Sequence, residues 1–533
     1  IPARDNDSSG AACAAFSPTC CPAGSGGMLH HPGDRDDAVQ VLLAIDPLMF
    51  GADATGQGAD AKRLRRNRRK IATLLEELYA GRTHQITVQL ARHYAEAGDG
   101  EKAVGYLLQA GDRARDLYAH QEAIDHYRLA LAFLKDAGEY ERAARTLMKL
   151  GLTYHTAFQF GQARQAYQEG FALWQRAGEM ELAGPPPSAP HDLRVNAVEP
   201  TTLDLTIAHN TRSREVIGQL FSGLVALSPE MDVVPDIARS WEVSEGGRGY
   251  VFHLRDDVRW NDGMPVTAKD FEYAWKRVLD PATGSSMAGL LYDIKGARAF
   301  HRGESESDAV GVWALDEQTL MVELEGPTGY FLQLLANIIC YPLPRHVLAA
   351  QGEATQAHST ELWTAVGKMV SNGPFQLESW PRGESLVLTR NPNYHGRFRG
   401  NIQRVELSLR SEDWPTRLER YEADDLDVVH LLLPVVDRAR QRHPGEYMSG
   451  PLLFTWYVGF NTSRPPFDDP RVRRAFVLAT KREAGLEMIL SGYEAPATGG
   501  FVPPGMPGHV PAIGLAYDPE GARQLLAEAG YPK

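Results

Sequence analysis

Among residues able to do chemistry, the four cysteines come first: Cys13, Cys20, Cys21 and Cys340. Cys20 and Cys21 are adjacent and cannot close an unstrained ring together, a Cys13–Cys20 bridge stays open, and the spacing fits no zinc pattern. Cys340 follows Ile338 and Ile339 and reads as a small buried hydrophobe. The 17 histidines are scattered; His120 and His126, for example, fall on different faces of a helix. The segment Gly51–Gly58 lacks the lysine of a phosphate loop, and neither a Gly-x-Ser-x-Gly elbow nor a paired-histidine zinc helix occurs. The reading is therefore no catalytic residue, no metal ligand, no cofactor and no enzyme.

The elements around these residues must then hold a binding or structural function. With 55 basic against 68 acidic residues the chain carries a net charge of −13, so no nucleic-acid partner is expected, since a duplex repels a net anion. A length of 533 residues allows three or so domains. There is no run of 18 or more apolar residues to form a membrane-spanning helix. Residues 1–60 are rich in Gly, Ser, Ala and Asp and read as a disordered, low-complexity head without a signal peptide. The absence of an initial Met suggests a fragment or a processed form. The run Lys62-Arg63-Leu64-Arg65-Arg66-Asn67-Arg68-Arg69-Lys70 has two readings: an anion-binding patch, or the solvated start of a helix continuing through Ile71, Leu74, Leu75 and Leu78.

From about 84 to 177 the pattern is helical. Leu90, Ala91 and Tyr94 are followed by Ala103, Leu107 and Ala110; Leu150, Gly151 and Tyr154 are followed by Ala163 and Tyr167; a third match, Ala123, Tyr127 and Ala130, lies between. Small residues let antiparallel helices approach, and the aromatic fills the gap beside them. The matched alanines are unevenly spaced, 20 residues from Ala103 to Ala123 and then 40 to Ala163, which predicts about five helices in two to three degenerate repeats. These marks resemble the tetratricopeptide repeat, a helical unit of about 34 residues, and imply a concave face for a protein partner. The prolines of Gly184–Pro190 then predict a stiff extended linker. The expected organisation is a head over 1–60, a helical repeat over 61–178, a linker over 179–192 and a further domain over 193–533.

Beyond the linker the period changes. Tyr250–Leu254 alternates as a strand, and Asn261-Asp262-Gly263 suits a tight turn. Thr267 with Asp270 predicts a capping box that opens a helix through Phe271, Trp275 and Val278. Leu386–Leu388 reads as a strand, and Asp469-Pro470 and Asp518-Pro519 read as helix starts. Short strands mixed with helices predict an α+β or α/β domain.

A long ordered series of motifs runs through this domain: Glu199–Asp204, Leu220–Leu224, Val234–Glu242, Phe252–Arg255, Trp260–Phe271, Ser371–Phe375, Arg390–Tyr394, Phe460–Thr462, Pro466–Arg473 and Leu525–Pro532. In this order they resemble the large peptide/nickel-type extracytoplasmic solute-binding family of ABC importers, over about 193–533. The resemblance implies two lobes that close on a hinge over a buried ligand. The fold class expected is thus α + (α+β), a tetratricopeptide-like helical repeat followed by a two-lobed periplasmic-binding-protein-like domain whose second lobe, from about 453, is incomplete. It also implies a ligand-binding set. His209, Asn210 and Thr211 fall where the family runs a strand beside the peptide, and Met287 falls where a cleft tyrosine stands. His430 and Leu431 fall on a cleft asparagine pair, and Phe454 and Tyr457 fall where cleft-lining residues precede the second lobe. Met287, His430 and Leu431 depart from the family and point to a more apolar ligand; Lys481 stands where an Asp is usual before Arg482. In the family about a third of the domain follows the Ala-Gly-Tyr-Pro element, including the Asp that pairs with a peptide's free amino group. A strand at Val458–Phe460 and helices from Arg471 and Glu520 are expected in the second lobe, with Val472, Phe476, Leu525 and Leu526 lacking cover.

The function this resemblance implies is non-enzymatic binding of a peptide or similar small solute for the membrane permease of an ABC importer, in the periplasm or otherwise outside the cytoplasm. The alternative is a cytoplasmic ligand sensor or regulator in which the helical repeats carry a protein partner, which suits a chain without a signal peptide.

Overall fold

The computed structural model describes residues 59–180, 191–228, 231–244, 246–350, 363–396, 400–432, 435–449, 455–484 and most of 496–531. Nearly all of the expected head and the whole of the Gly184–Pro190 linker lie outside the described residues. The chain forms two compact units, Ile1–Leu64 and Arg65–Lys533. The basic run lies in a helix, α1 (Ala59–Leu78).

Five helices follow: α2 (Thr87–Ala97), α3 (Gly100–Asp116), α4 (His120–Asp136), α5 (Tyr140–Thr156) and α6 (Phe160–Met180). From α3 onward they begin at 100, 120, 140 and 160, one helix every 20 residues. Each turn closes on one residue at positive φ: Gly98 (71°), Tyr118 (58°), Gly138 (73°) and Phe158 (57°). The uneven spacing expected of the repeats is corrected accordingly. Ala143 stands between Ala123 and Ala163, and Ala103, Ala123, Ala143 and Ala163 are each the fourth residue of their helix and fully buried. Four residues further on, Leu107, Tyr127, Leu147 and Tyr167 alternate aliphatic with aromatic, so Ala143 lacks the aromatic mark that picks out its neighbours. The true repeat is a helix pair of 40 residues. In each pair a tyrosine is laid on the glycine of the preceding helix: a Cβ on Gly111 or Gly151 would stand 2.6 Å or 2.5 Å from the Tyr127 or Tyr167 ring.

The remaining elements build mixed layers. A four-stranded antiparallel sheet has the order β4 (Ala238–Val243), β5 (Gly249–Leu254), β7 (Thr319–Glu323), β6 (Val312–Ala314). A second has the order β1 (His191–Asn196), β10 (Ile402–Ser408), β9 (Ser385–Arg390), β8 (Phe375–Ser379), parallel only between β1 and β10. A ribbon pairs β2 (Val225–Leu227) with β3 (Val233–Pro235). Helix α7 (Thr211–Leu220) follows β1, and α8 (Ala268–Leu279) packs on β6 and β7. The capping box forms as the sequence predicts: Asp270 Oδ2 accepts from the Thr267 amide (2.8 Å) and hydroxyl (3.0 Å). Burial nevertheless pushes the Asp270 carboxyl up. Cys340 is buried, with its thiol pushed up by desolvation.

Toward the C-terminal end lie α9 (Trp414–Glu422), α10 (Val436–Arg442), α11 (Pro470–Ala479) and α12 (Pro519–Glu528). Asp469 and Asp518 cap α11 and α12 through the Arg471 amide (2.8 Å) and the Gly521 amide (2.9 Å). Two expectations are corrected here. Val458–Phe460 is not a strand, because no described strand lies alongside to pair with it and a strand exists only in a ladder. Val472 is buried rather than uncovered, because α11 and α12 pack on each other; Phe476 stays half exposed.

Candidate functional site

Five of the motifs that carry the family resemblance meet in one hydrogen-bonded knot. Asn372 clamps Ser222 from both sides, its Oδ1 accepting from the Ser222 amide (3.1 Å) and its Nδ2 donating to the Ser222 carbonyl (3.2 Å). Gly373 has no room for a side chain: a Cβ would lie 2.4 Å from the Leu220 carbonyl carbon. Asn391 Nδ2 donates to the Gly373 carbonyl (2.9 Å), Asn393 Nδ2 to the Asn261 carbonyl (3.1 Å), and the Asn261 and Ser371 backbones pair at 2.8 Å. His395 Nε2 lies 2.6 Å from Asp236 Oδ1, beside Tyr394, whose phenol burial pushes up. These polar groups join five separate chain segments, and their partners are the protein itself. These motif residues therefore hold the segments of the domain together.

The residues expected to touch ligand lie on separate elements. Segment 427–430 lies along the free edge of β1: the Asp427 amide donates to the Arg194 carbonyl (2.8 Å), and the His430 amide to Asn196 Oδ1 (2.7 Å). The Arg194 guanidinium, 2.8 Å from Asp427, holds that carboxyl below the usual range. This places the His430 ring in solvent and sends Leu431 into a small cluster with Leu418, Val435 and Ala439. His209–Thr211 is not a strand but the entry to α7. Asn210 is its N-cap, with Oδ1 accepting from the Ser213 amide (2.9 Å) and Nδ2 donating to Thr201 Oγ1 (2.7 Å), so its side chain is committed. His209 and Thr211 are exposed. Met287 is half-buried against the main core, and Tyr457 is exposed, its ring 5.2 Å from that of Phe501. Phe454 lies outside the described residues.

Among the described residues no hydrogen bond or ring contact joins His209, Met287, His430 and Tyr457 to one another. Nor do the two surface hollows, one lined by Arg66, Arg69, Lys70, Thr73 and Leu74 and the other by Pro465, Asp468–Arg471, Ala529 and Tyr531, include them. Sequence reasoning missed Asp232, His155 and Tyr250, where the helices meet the sheet. Asp232 is one acidic residue among 68, and only its burial sets it apart.

Sheets layered with helices and knotted by buried asparagines give this domain the fold class of the solute-binding proteins. Residues 232–533 match the family described as bacterial extracellular solute-binding proteins, family 5, middle, and the chain belongs to that family. It is 35% identical over 305 residues to the probable deoxycholate-binding periplasmic protein YgiS of Escherichia coli (57% of this chain, 55% of the relative). It is 32% identical over 350 residues to the periplasmic oligopeptide-binding protein OppA of E. coli (64% and 62%). Among solved structures it is similar to OppA of Burkholderia pseudomallei (TM-score 0.58, 29% identity, 65% of this chain and 68% of that one) and to the E. coli murein tripeptide binding protein MppA (0.57, 31%, 64% and 67%). The chain thus spans 55% to 62% of the length of these curated relatives.

Proposed function

We propose that this chain binds a peptide or a related small solute, as the solute-binding component of an ABC-type importer working outside the cytoplasm with a membrane permease. The observation that carries this reading is the match over 232–533 to a solute-binding family, with five of the motifs that resemble it closing one knot. The ligand-lining residues of this reading are His209, Thr211, Met287, His430, Leu431, Phe454 and Tyr457, with Asn210 setting the entry to α7. Half-buried Met287 and Leu431 beside exposed histidines suit a ligand with an apolar body and a few hydrogen-bonding groups. One relative carries deoxycholate in its name and others oligopeptides, which brackets the candidate chemistry.

A second reading, a ligand sensor or regulator, is favoured by one observation: helices on both sides of 179–192 and the sheets share a single core. In it residues 61–178 are a tetratricopeptide-like platform for a protein partner, although the 40-residue pair is longer than that repeat's unit. Titration calorimetry of the full chain with di- to pentapeptides and with deoxycholate tests the binding claim. Saturable heat with one set, reduced at least tenfold in affinity by His430→Ala, supports it; silence with both sets removes it.

A further inference from the structure

The surface of the β3–β4 sheet region that faces the helical array carries a charge cluster unlike the exposed ion pairs elsewhere. Asp232, immediately before β3, is 6% exposed. Its Oδ1 lies 2.8 Å from Arg115 Nη1 of α3 and its Oδ2 3.0 Å from Lys149 Nζ of α5. Lys149 also reaches Asp112 at 2.8 Å, and Asp112 accepts from the Tyr127 hydroxyl of α4 at 2.6 Å. Two carboxylates thus pair with two cations, beside the Asp116 carboxyl, which burial pushes up, and one carboxylate from the binding domain completes a set otherwise drawn from three helices. Such a set is costly to desolvate and is kept only where every charge is paired. Beside it runs an aromatic seam. Trp241 of β4 meets Phe171 at 4.8 Å and Tyr167 at 5.4 Å between ring centroids, the Tyr250 hydroxyl of β5 meets His155 Nε2 at 2.9 Å, and Phe160 lies over Gly247.

We propose that Asp232 is an ionic latch which, with this seam, fastens the helical array to the solute-binding domain as one rigid body, so that the partner of this domain face is the chain's own α3–α6. The array is then a fixed arm and not a hinged neighbour, and any protein held on its outer side keeps a constant position relative to β4 and β5. The inference does not depend on which solute is bound.

Native-state hydrogen exchange on the full chain in low denaturant tests it. Amides of α5, α6, β4 and β5 should share one opening transition, and separate transitions for helices and strands would overturn the proposal. In Asp232→Asn, protection in α3, α5 and β3 should fall together by about a hundredfold. The double variant Lys149→Gln with Asp232→Asn should lose at least tenfold less protection than the two single losses multiplied together. A loss confined to β3, or single losses that simply multiply in the double variant, would show that Asp232 serves only its own turn.

Discussion

Two regions of this molecule use the same local devices to different effect. Between Ala238 and Leu279, a strand pair and a capped helix enclose Trp241, Tyr250, Phe252, Trp260, Phe271 and Trp275, none more than 2% exposed. Between Thr455 and Tyr531, two aspartate-capped, proline-started helices form just as well, yet Tyr457 is 71% and Phe501 66% exposed. The caps are equal; the second layer is not. In the first region the helical array and α8 cover the strands, whereas in the second α11 and α12 cover chiefly each other. Local signals start elements, and only a facing layer turns apolar residues into a core.

The comparison breaks most sharply under truncation of aromatics. Trp241→Ala should cost about 3–5 kcal/mol, read as a lower urea midpoint, whereas Phe501→Ala, at a ring 66% exposed, should stay within about 0.5 kcal/mol. Similar losses at both positions would mean that the C-terminal region is as well covered as the sheet.

Acid should attack the first region selectively. Burial drives the imidazole of His155 down to about 4, from an unfolded value near 6.5. The groups facing it are Tyr250, Tyr167 and the Thr328 carbonyl, with no carboxylate among them. The folded state therefore prefers the neutral ring: its contribution is complete above about pH 6.5 and declines as pH falls to about 4, by about 3 kcal/mol in total. His155→Gln should flatten this slope in denaturant titrations at pH 7, 5.5 and 4.5. An unchanged slope would assign acid sensitivity elsewhere.

Hydrogen exchange gives the regional reading directly. Amides in 471–478 and 520–528 should exchange faster than those in 250–254 and 269–278, by tenfold or more. Equal protection would show that the exposed aromatics do not mark weaker packing.

The smallest effect concerns the turns of the array. Tyr118 and Phe158 adopt positive φ at places where Gly98 and Gly138 do so freely. Tyr118→Gly should raise stability slightly, by a few tenths of a kcal/mol after the entropic cost of glycine, read from the thermal midpoint. Gly138→Ala should lower it by about 1 kcal/mol. A loss in Tyr118→Gly or a gain in Gly138→Ala would show that these turns are not equivalent.

Sequence by itself determined the local elements and the family. Thr267 and Asp270 cap a helix wherever they stand at that spacing, since the bonds lie within one turn; Asp469-Pro470 and Asp518-Pro519 do the same. The Tyr250–Leu254 alternation is a strand because period two puts Tyr250, Phe252 and Leu254 on one buried face. Ordered motifs named the family, but not their own role: nothing in the linear spacing of Asn261, Asn372 and Asn391 says that they bond Ser371, Ser222 and Gly373 in one knot. Only tertiary structure decided that Asn210 caps a helix, and that Val458–Phe460 has no described strand to pair with. It also decided that Asp232 leaves its own ribbon to meet Arg115 and Lys149. The reason is common to all three. Hydrogen bonds within a turn depend on neighbours in the chain, whereas pairing, burial and charge compensation depend on which distant segment arrives alongside, and that is settled only when the layers pack.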